Sequence, residues 1–347
     1  MIEIKNLSFS YTEKEVFNGL NLKINDNEFF SIIGPSGCGK STLLYLIGGH
    51  LMPTSGRIDF DKHIILHGNN RQIITVFQDD YLFPHLNVYN NINLALSFRI
   101  KNEKERKEII ENYSNIFGIY KLLNRKIDEI SGGERQRCAI VRALVLKPKI
   151  LLLDEPLSSL DVNLRSSLRR ILKKIQKDTK STFIYVTHNQ EEAFSMSDRV
   201  AVFNNDGKLQ QLDKPSVIYN RPKNKFVADF IGMDNLFEIK KIVPNNDKYN
   251  FYIGEKFYFT FSRIMKNIKF IGIHSSDVII NDNNINYKNF ISATIEDIEF
   301  HGPYTIISLK INDEINIYSR IFNKKKYKVG QKVKLNINEE GLVFILD

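Results

Sequence analysis

The nine residues 34–42 restrict the fold of this chain more than any other stretch. They read GPSGCGKST, follow the apolar run FFSII and precede the helix-like stretch STLLYLIGG at 41–49. The pattern G-x-x-x-x-G-K-[ST] between a strand and a helix predicts a phosphate-binding loop. Its glycines let backbone N–H groups approach an anion, and the positive end of the helix dipole adds to the attraction. The chain should therefore contain an α/β domain that binds a nucleotide.

Two positions of this loop have specific expected contacts. Lys40 should reach the β- and γ-phosphates, and the Ser41 hydroxyl should bind Mg²⁺. Cys38 is a small residue in the loop, where a thiol reagent could block nucleotide entry. The expected nucleotide-binding residues of the loop are Gly34, Pro35, Ser36, Gly37, Cys38, Gly39, Lys40, Ser41 and Thr42.

Polar residues also end two further apolar runs, ILLLDEP at 150–156 and TFIYVTH at 182–188. In open α/β sheets, ligands collect at the carboxyl ends of the strands. Asp154 is therefore a candidate Mg²⁺ ligand, and Glu155 is a candidate base that orients and polarises an attacking water. His188 alone would more commonly be a structural histidine. At this point kinases, GTPases and many ATPases all remain possible.

Composition limits the remaining classes. The chain has 347 residues, of which 42% are hydrophobic and 26% charged, as in ordinary globular proteins. No apolar run approaches the ~20 residues that cross a bilayer, and no export signal opens the chain, so we expect a cytoplasmic protein. The net charge of +9 is scattered apart from Lys324, Lys325 and Lys326, so no nucleic acid partner is expected.

The pattern of the chain changes after Gly232. From 236 to 347 it consists of short strand-like runs such as KFYFTF and KVKLNI, separated by Asn, Asp, Gly and Lys. Strands at this spacing indicate a small all-β barrel or sandwich. We therefore predict one domain over 1–232, with a largely helical part at about 86–147, and a β domain over 236–347.

The segment ISGGERQRCAIVRAL at 130–144 separates the nucleotide-binding classes. Here the chain resembles the ATP-binding cassette (ABC) family, whose signature sequence has the form LSGGQ or LSGGERQR. The other motifs follow in the family's order: Gln78 as the Q-loop, SSLD at 158–161 as the D-loop and His188 as the switch histidine. Tyr11 stands where the family has an aromatic residue that stacks on adenine.

The resemblance implies two composite ATP sites in a head-to-tail dimer, formed with a second copy or a similar cassette. Each would combine Lys40, Ser41, Gln78, Asp154, Glu155 and His188 of one subunit with Ser131, Gly132 and Gly133 of the other, with Asp161 at the seam. Lys40, Gln78, Glu155 and His188 would act in catalysis, and Ser41, Gln78 and Asp154 would hold Mg²⁺. A helix that opens with Ser131 and two glycines would also offer an anion site.

Two further stretches resemble the importer branch of this family. QDDYLFPHLNVYNNI at 78–92 is similar to the loop that contacts the membrane permease, and the β region is similar to the OB-like TOBE module. The implied protein is a peripheral ATPase on the cytoplasmic face of the inner membrane. Its partners would be permease subunits and, indirectly, a solute-binding protein. The linker FIGMDNLF lacks the pattern of sugar-type members, which favours a polyamine, ferric ion or another small ion as the solute.

Several alternatives remain beside this interpretation. A soluble ABC ATPase acting on nucleic acid or ribosomes could use Lys256, Phe257, Tyr258 and Phe259 as a grip, although a core strand is the simpler explanation. A sugar-type importer ATPase is also possible. A P-loop kinase is disfavoured by the signature sequence, and a purely structural nucleotide-binding subunit is disfavoured by Glu155.

Overall fold

The computed structural model describes residues 1–12, 14–60, 63–64, 73–79, 81–255, 257–261, 268–281, 291–322, 326–337 and 341–346. Lys256, Lys324 and Lys325 of the sequence analysis lie outside these ranges. The chain forms two compact units, Met1–Pro215 and Ser216–Asp347. None of the helices in the described ranges is both long and apolar enough to span a membrane.

The first unit alternates strands with helices. Its strands are β1 (Ile2–Tyr11), β2 (Lys14–Ile24), β3 (Phe29–Ile33), β4 (Ser55–Phe60), β5 (His63–Ile64), β6 (Ile73–Val76), β7 (Ile150–Asp154), β8 (Thr182–Val186), β9 (Arg199–Phe203) and β10 (Leu209–Asp213). Its helices are α1 (Lys40–Ile47), α2 (Val88–Ser97), α3 (Glu103–Ile116), α4 (Gly132–Leu144), α5 (Val162–Thr179) and α6 (Gln190–Met196).

Two sheets organise this unit. Over the described residues, one has the order β2-β1-β4-β5 and the other the order β10-β9-β3-β8-β7-β6. In the second sheet β9, β3, β8, β7 and β6 run parallel, and β10 is antiparallel at the edge. The loops that follow the parallel strands therefore meet at one edge of this sheet.

The parallel strands are apolar along their whole length because both faces are covered. Leu151 and Leu153 of β7 face a core built with α2, α4 and α5, whereas Ile150 and Leu152 face a core built with α1 and the first sheet. This two-sided burial fixes the position of β7 and hence of Asp154, its last residue.

The helical part expected at about 86–147 contains α2, α3 and α4. Helix α2 begins after Asn87, whose side chain accepts a hydrogen bond from the Asn90 amide, and α3 begins in the same way after Asn102. Helix α4 buries Cys138 and Ile140, among others, in the core against the sheet. The first unit thus has the α/β cassette architecture with a helical subdomain.

The second unit is mainly β. Its strands are β11 (Asn235–Glu238), β12 (Lys241–Asn245), β13 (Lys248–Tyr252), β14 (Tyr258–Phe261), β15 (Ile268–Ile273), β16 (Val278–Asn281), β17 (Ile291–Phe300), β18 (Thr305–Asn312), β19 (Ile315–Ile321), β20 (Lys332–Ile337) and β21 (Leu342–Leu346). Among the described residues they form sheets of order β11-β15-β21, β12-β13-β14 and β16-β20-β17-β18-β19. Together they enclose one apolar core, as in a small OB-like domain.

Helices α7 (Pro215–Asn220) and α8 (Lys225–Phe230) lie close to the change of unit. Ala228 and Met233 pack against Val343 and Ile345 of β21, so α8 shares a core with the second unit. The division at Pro215 therefore comes earlier in the chain than the boundary expected near 232–236. The domain limits 1–232 and 236–347 remain predictions.

Two of the three aromatic residues weighed as a nucleic-acid grip, Phe257 and Phe259, pack in the core. Phe259 is buried, Phe257 packs against the same core, and their rings meet edge to face at 5.2 Å. Only Tyr258 of the three is exposed. The core-strand interpretation therefore fits the structure better than an aromatic face for bases.

Candidate functional site

A cleft of about 850 Å³ opens at the carboxyl edge of the parallel sheet. The predicted residues that line it are Tyr11, Ser36, Gly37, Cys38, Gly39, Lys40, Ser41, Thr42, Gln78, Glu155 and His188. These residues come from loops after β3, β6, β7 and β8 and from the end of β1. Parallel strand order therefore brings together the motifs that follow β3, β6, β7 and β8, and β1 of the other sheet adds Tyr11.

The loop between β3 and α1 depends on glycine at particular positions. Gly37 and Gly39 have φ angles of +78° and +97°, which side chains rarely adopt. A Cβ atom on Gly34 would lie 2.6 Å from the Phe203 carbonyl oxygen, and one on Gly39 would lie 2.5 Å from Val16 Cγ1. The loop can pass this close to its neighbours because it carries no side chains there.

Lys40 lies over this loop. Its Nζ atom donates hydrogen bonds to the carbonyl oxygens of Gly34 at 3.0 Å and Pro35 at 2.7 Å. The residue is buried, so the charge is held within the cleft rather than in bulk water. Gly34 and Pro35 thus position the lysine, while the later loop residues line the cleft.

The Asp154 carboxylate lies beside the first turn of α1. It accepts hydrogen bonds from the Ser41 hydroxyl at 2.9 Å and from the Tyr45 hydroxyl at 3.0 Å. Burial raises the pKa of Asp154 above its ordinary value, while these two bonds and the charge of Lys40 oppose the rise. Tyr45 was not among the predicted site residues, although its spacing from Ser41 puts it one helical turn further along α1.

Glu155 and His188 meet across the ends of β7 and β8. His188 Nδ1 lies 3.0 Å from Glu155 Oε2, although the residues are 33 positions apart. Glu155 has a φ of +45°, a strained value for a residue with a side chain, and its amide bonds to the Val186 carbonyl at 2.9 Å. The turn at Glu155 sends its side chain toward His188 while Asp154 faces Ser41.

Tyr11 and Gln78 are at the rim of the cleft. Tyr11 is 46% exposed, packs edge to face on Phe9, and its hydroxyl lies 3.5 Å from Thr42 Oγ1. Gln78 is exposed two residues after the end of β6. An exposed ring at the rim offers a surface on which a base could stack.

Ser131 does not line this cleft. It caps the N-terminus of α4 in a reciprocal arrangement with Glu134: the Ser131 amide and hydroxyl donate to Glu134 Oε2 at 2.8 and 2.9 Å, and the Glu134 amide donates to Ser131 Oγ at 3.3 Å. The bond from the Ser131 amide lowers the pKa of Glu134. The Ser131 hydroxyl, which was expected to contact an anion, is therefore held by a neighbouring carboxylate in this chain.

Gly132, Gly133 and Asp161 also lie outside the cleft. Asp161 caps α5 by accepting a hydrogen bond from the Leu164 amide at 3.0 Å. A Cβ on Gly133 would lie 2.8 Å from Leu160 Cδ2, so the start of α4 and the D-loop are in close contact. The structure thus groups these residues at a second location, separate from the cleft lining.

Several residues of the cleft were not predicted. Val16 of β2 lines it, and so does the loop after β9; the lining residues of that loop are Asn205, Asp206, Gly207 and Lys208. Gly207 has a φ of +69°, and a Cβ there would lie 2.2 Å from the Val16 carbonyl oxygen. The asparagine, aspartate and glycine that follow an apolar run predict a turn there. They do not predict that this turn lies beside Val16 in the cleft.

Comparison with known proteins agrees with this geometry. Residues 17–158 match the family model described as ABC transporter. The spermidine/putrescine import ATP-binding protein PotA of Borreliella afzelii (strain PKo) is 39% identical over 353 residues, covering 99% of this chain and 97% of that protein. The protein of the same name from Clostridium acetobutylicum is 48% identical over 238 residues, covering 68% of this chain and 67% of that protein.

A solved structure resembles the first part of the chain. The ATP-binding cassette MJ0796, in a dimeric post-hydrolysis state bound to ADP and Pi, aligns with a TM-score of 0.57 and 31% identity. The alignment covers 62% of this chain and 99% of that cassette. Given these similarities and the motifs that line the cleft, the chain belongs to the ABC transporter family, as one of its import ATP-binding proteins.

Proposed function

We propose that this chain hydrolyses ATP to drive the uptake of a polyamine through a separate membrane permease. The observation that carries the proposal is the single cleft in which Lys40, the Ser41–Asp154 pair and the Glu155–His188 pair meet. The spermidine/putrescine import proteins that it resembles along nearly its whole length support polyamine as the solute.

ATP would bind with its phosphates on the loop at 34–42. The loop amides and the N-terminus of α1 would bind phosphate oxygens, and Lys40 would exchange loop carbonyls for the β- and γ-phosphates. Tyr11 would stack on adenine from the rim. The residues after β9 would border the same nucleotide, because they line the cleft and Gly207 lies close to the backbone of Val16 and Cys38.

Mg²⁺ fits the donors at Ser41 and Asp154. A hydroxyl and a buried carboxylate within 2.9 Å of each other are oxygen ligands of the kind that Mg²⁺ prefers, with phosphate and water completing its shell. Gln78 lines the same cleft and could add an amide oxygen. When bound, the ion would neutralise charge on the β- and γ-phosphates.

Hydrolysis would proceed by attack of water on the γ-phosphate. Glu155 would accept the proton of that water as the new P–O bond forms and the bond to the ADP oxygen breaks. His188 would hold the carboxylate in position through its Nδ1 atom and contact the γ-phosphate. The strained turn at Glu155 is consistent with such a role, because strain of this kind accumulates at active sites.

Closure of a dimer would complete the site. Ser131, Gly132 and Gly133 would contact the γ-phosphate bound to the other subunit, and Asp161 would lie at the seam. The dimeric state of the MJ0796 cassette supports this arrangement. Since Glu134 holds the Ser131 hydroxyl here, that hydroxyl would have to change partner as the subunits close.

A second, apolar cavity in the cassette supports contact with a permease. It measures about 320 Å³ and is bordered by Phe83, Leu94, Phe98 and Arg142, among others. Phe98 is 82% exposed, and buried Asn91 pins the loop before α2 by bonding both the amide and the carbonyl of Phe83. A preformed apolar groove of this kind would receive a helix of the permease, with this chain peripheral on the cytoplasmic face of the membrane.

A solute-binding protein would deliver the polyamine to the permease. Nucleic acid or ribosomes are not favoured as partners, because Phe257 and Phe259 of the segment weighed as a grip pack into the core of the β unit and the similar proteins are import subunits. A sugar-type importer is disfavoured because the similar proteins are spermidine/putrescine import subunits. The β unit would be a TOBE-like module.

Uptake measurements test this function. Cells that depend on this chain should take up labelled spermidine when they produce the parent, but not when they produce Glu155→Gln at equal level. Uptake of labelled maltose should be the same in both. Normal spermidine uptake with Glu155→Gln, or a defect confined to maltose, would overturn the proposal.

A further inference from the structure

Gln136 lies on α4, between the capped start of that helix and the sheet. Its side chain is 2% exposed, unlike most glutamines. A buried amide needs partners for both its oxygen and its nitrogen, because a polar group that is buried without a hydrogen bond destabilises the folded state. The identity of those partners shows what this residue holds together.

Both partners belong to the segment that follows β7. The Ser159 hydroxyl donates to Gln136 Oε1, and Gln136 Nε2 donates to the Glu155 carbonyl oxygen at 3.4 Å. The amide therefore joins α4 to Glu155 on one side and to the D-loop on the other. At 3.4 Å the second bond is long, so a small movement of α4 would tighten or break it.

The Glu155 backbone depends on a few such bonds. Its left-handed φ of +45° is unfavourable for a residue with a side chain. Its carbonyl oxygen also accepts bonds from the Ser158 hydroxyl at 2.9 Å and the Ser158 amide at 3.2 Å. Of these three hydrogen bonds to the Glu155 carbonyl, the one from Gln136 comes from outside the turn that follows β7.

We propose that Gln136 is a positioning residue that ties the helix headed by Ser131 to the backbone of Glu155. A helix is stiff over the five residues from Ser131 to Gln136, so a displacement of its N-terminus reaches Gln136 directly. When the nucleotide of a partner subunit closes on Ser131, the hydrogen bond from Gln136 to the Glu155 carbonyl would change in length. The distance between the Glu155 carboxylate and His188 would change with it. This inference rests on the proposed role of Glu155 in hydrolysis.

The test uses Gln136→Met in the purified full chain. Methionine keeps the length of the side chain and loses both hydrogen bonds. We expect kcat for ATP hydrolysis to fall by about tenfold to hundredfold, as for a misplaced catalytic group. The Kd for a fluorescent ATP analogue should stay within about twofold, because Gln136 does not line the cleft.

Gln176→Met is the matched control. Gln176 is 3% exposed and donates to the carbonyl oxygens of Asn27 at 2.8 Å and Ser181 at 2.9 Å, away from the cleft lining. Its replacement removes the same kind of bonds, so Tm should fall while kcat stays at the parent value. A purely structural role for Gln136 would give the same result as this control.

Ser159→Ala provides a second variant at an exposed position, where folding is not at risk. Loss of its one bond to Gln136 should lower kcat by about two- to tenfold. Combined with Gln136→Met it should cause no further loss, because both changes break one network. If Gln136→Met does not fold, an unchanged kcat in Ser159→Ala refutes the inference.

The outcomes separate this inference from the proposed function. If the parent does not hydrolyse ATP, both the proposed function and the proposed role of Gln136 are refuted. If the parent hydrolyses ATP, Glu155→Gln does not, and Gln136→Met matches Gln176→Met, only the role of Gln136 is refuted. A fall in kcat matched by an equal rise in the Kd for nucleotide would also refute it.

Discussion

His188 Nδ1 lies 3.0 Å from Glu155 Oε2, which joins the ends of two neighbouring parallel strands. An ionised carboxylate only accepts hydrogen bonds, so Nδ1 must carry the proton. In the proposed site, the other ring nitrogen, Nε2, would be left to contact the γ-phosphate. In the proposed mechanism, this pair would link the state of the nucleotide to the position of the candidate base.

Glu155→Gln should bind ATP and fail to turn it over. Glutamine preserves the shape of the side chain but cannot accept a proton from water, so kcat should fall by about 10²–10⁴-fold. ATP should then accumulate in a closed dimer, measured by size-exclusion chromatography. Glu191→Gln is the control, because Glu191 pairs with Arg169 and its side chain is 76% exposed. Hydrolysis by Glu155→Gln at the parent rate would remove Glu155 from the mechanism.

Ser131→Arg should fold and bind ATP but block the ATP-induced dimer. The long cation would occupy the surface at the start of α4 that the partner nucleotide must reach. Loss of the cap should cost about 1 kcal/mol of stability. Asn102→Arg removes the cap of α3 in the same way and should leave dimer formation intact. Dimers of Ser131→Arg that form with ATP as in the parent would refute the composite site.

Asp154→Asn should raise Tm at pH 7.5 and abolish Mg²⁺-dependent hydrolysis. Burial raises the pKa of Asp154 in the folded state above its value in the unfolded state. The ionised carboxylate therefore lowers the stability of the folded state, and this loss develops as pH rises from the lower pKa to the higher one. Asparagine removes that cost at pH 7.5. A gain of about 1 kcal/mol would raise Tm by about 2–4 °C in a domain of this size.

The gain should disappear near pH 3, where the carboxyl is protonated in both states. Asp178→Asn, at an exposed position on α5, should leave Tm unchanged at both pH values. A lower Tm for Asp154→Asn at pH 7.5 would contradict the expected sign.

Cys38 should react slowly with iodoacetamide at pH 7.5 and faster as pH rises. Burial raises the pKa of its thiol, which lowers the thiolate fraction at neutral pH. ATP should slow the labelling further because Cys38 lines the cleft. Cys138 is fully buried in the core and serves as the internal control, read out by peptide mass spectrometry. Rapid labelling at pH 7.5 that ATP does not affect would contradict this environment.

The local motifs were accessible from sequence because their geometry depends on neighbouring residues. The strand, loop and helix around 34–42 follow from an apolar run, glycines at fixed spacing and a helical stretch, and β3 and α1 confirm that order. The all-β character of the second unit follows in the same way from strand-length runs between turn residues. The α/β and all-β characters of the two units were thus predictable from local patterns, whereas the cassette fold and the OB-like module were implied by the resemblance to the ABC family.

Other features had a local signal that admitted two meanings. Ser131 followed by Glu134 matches the pattern of a reciprocal helix cap as well as that of an anion site, and the structure has the cap. For Asp161, the resemblance implies a position at the seam, and in the single chain its carboxylate caps α5. Such residues can have both roles, and only the structure shows which contact is made in the single chain.

The nucleotide-binding loop, the order of the family motifs and the change to a β unit could all be predicted from residue order, because each depends on spacing along the chain. Which side chains meet depends on how distant segments pack. Glu155 is 33 residues from His188 and 19 from Gln136, and these contacts depend on the register of β7 against β8 and the packing of α4. Register and helix packing join segments that are far apart in the chain, so no local pattern specifies such distances.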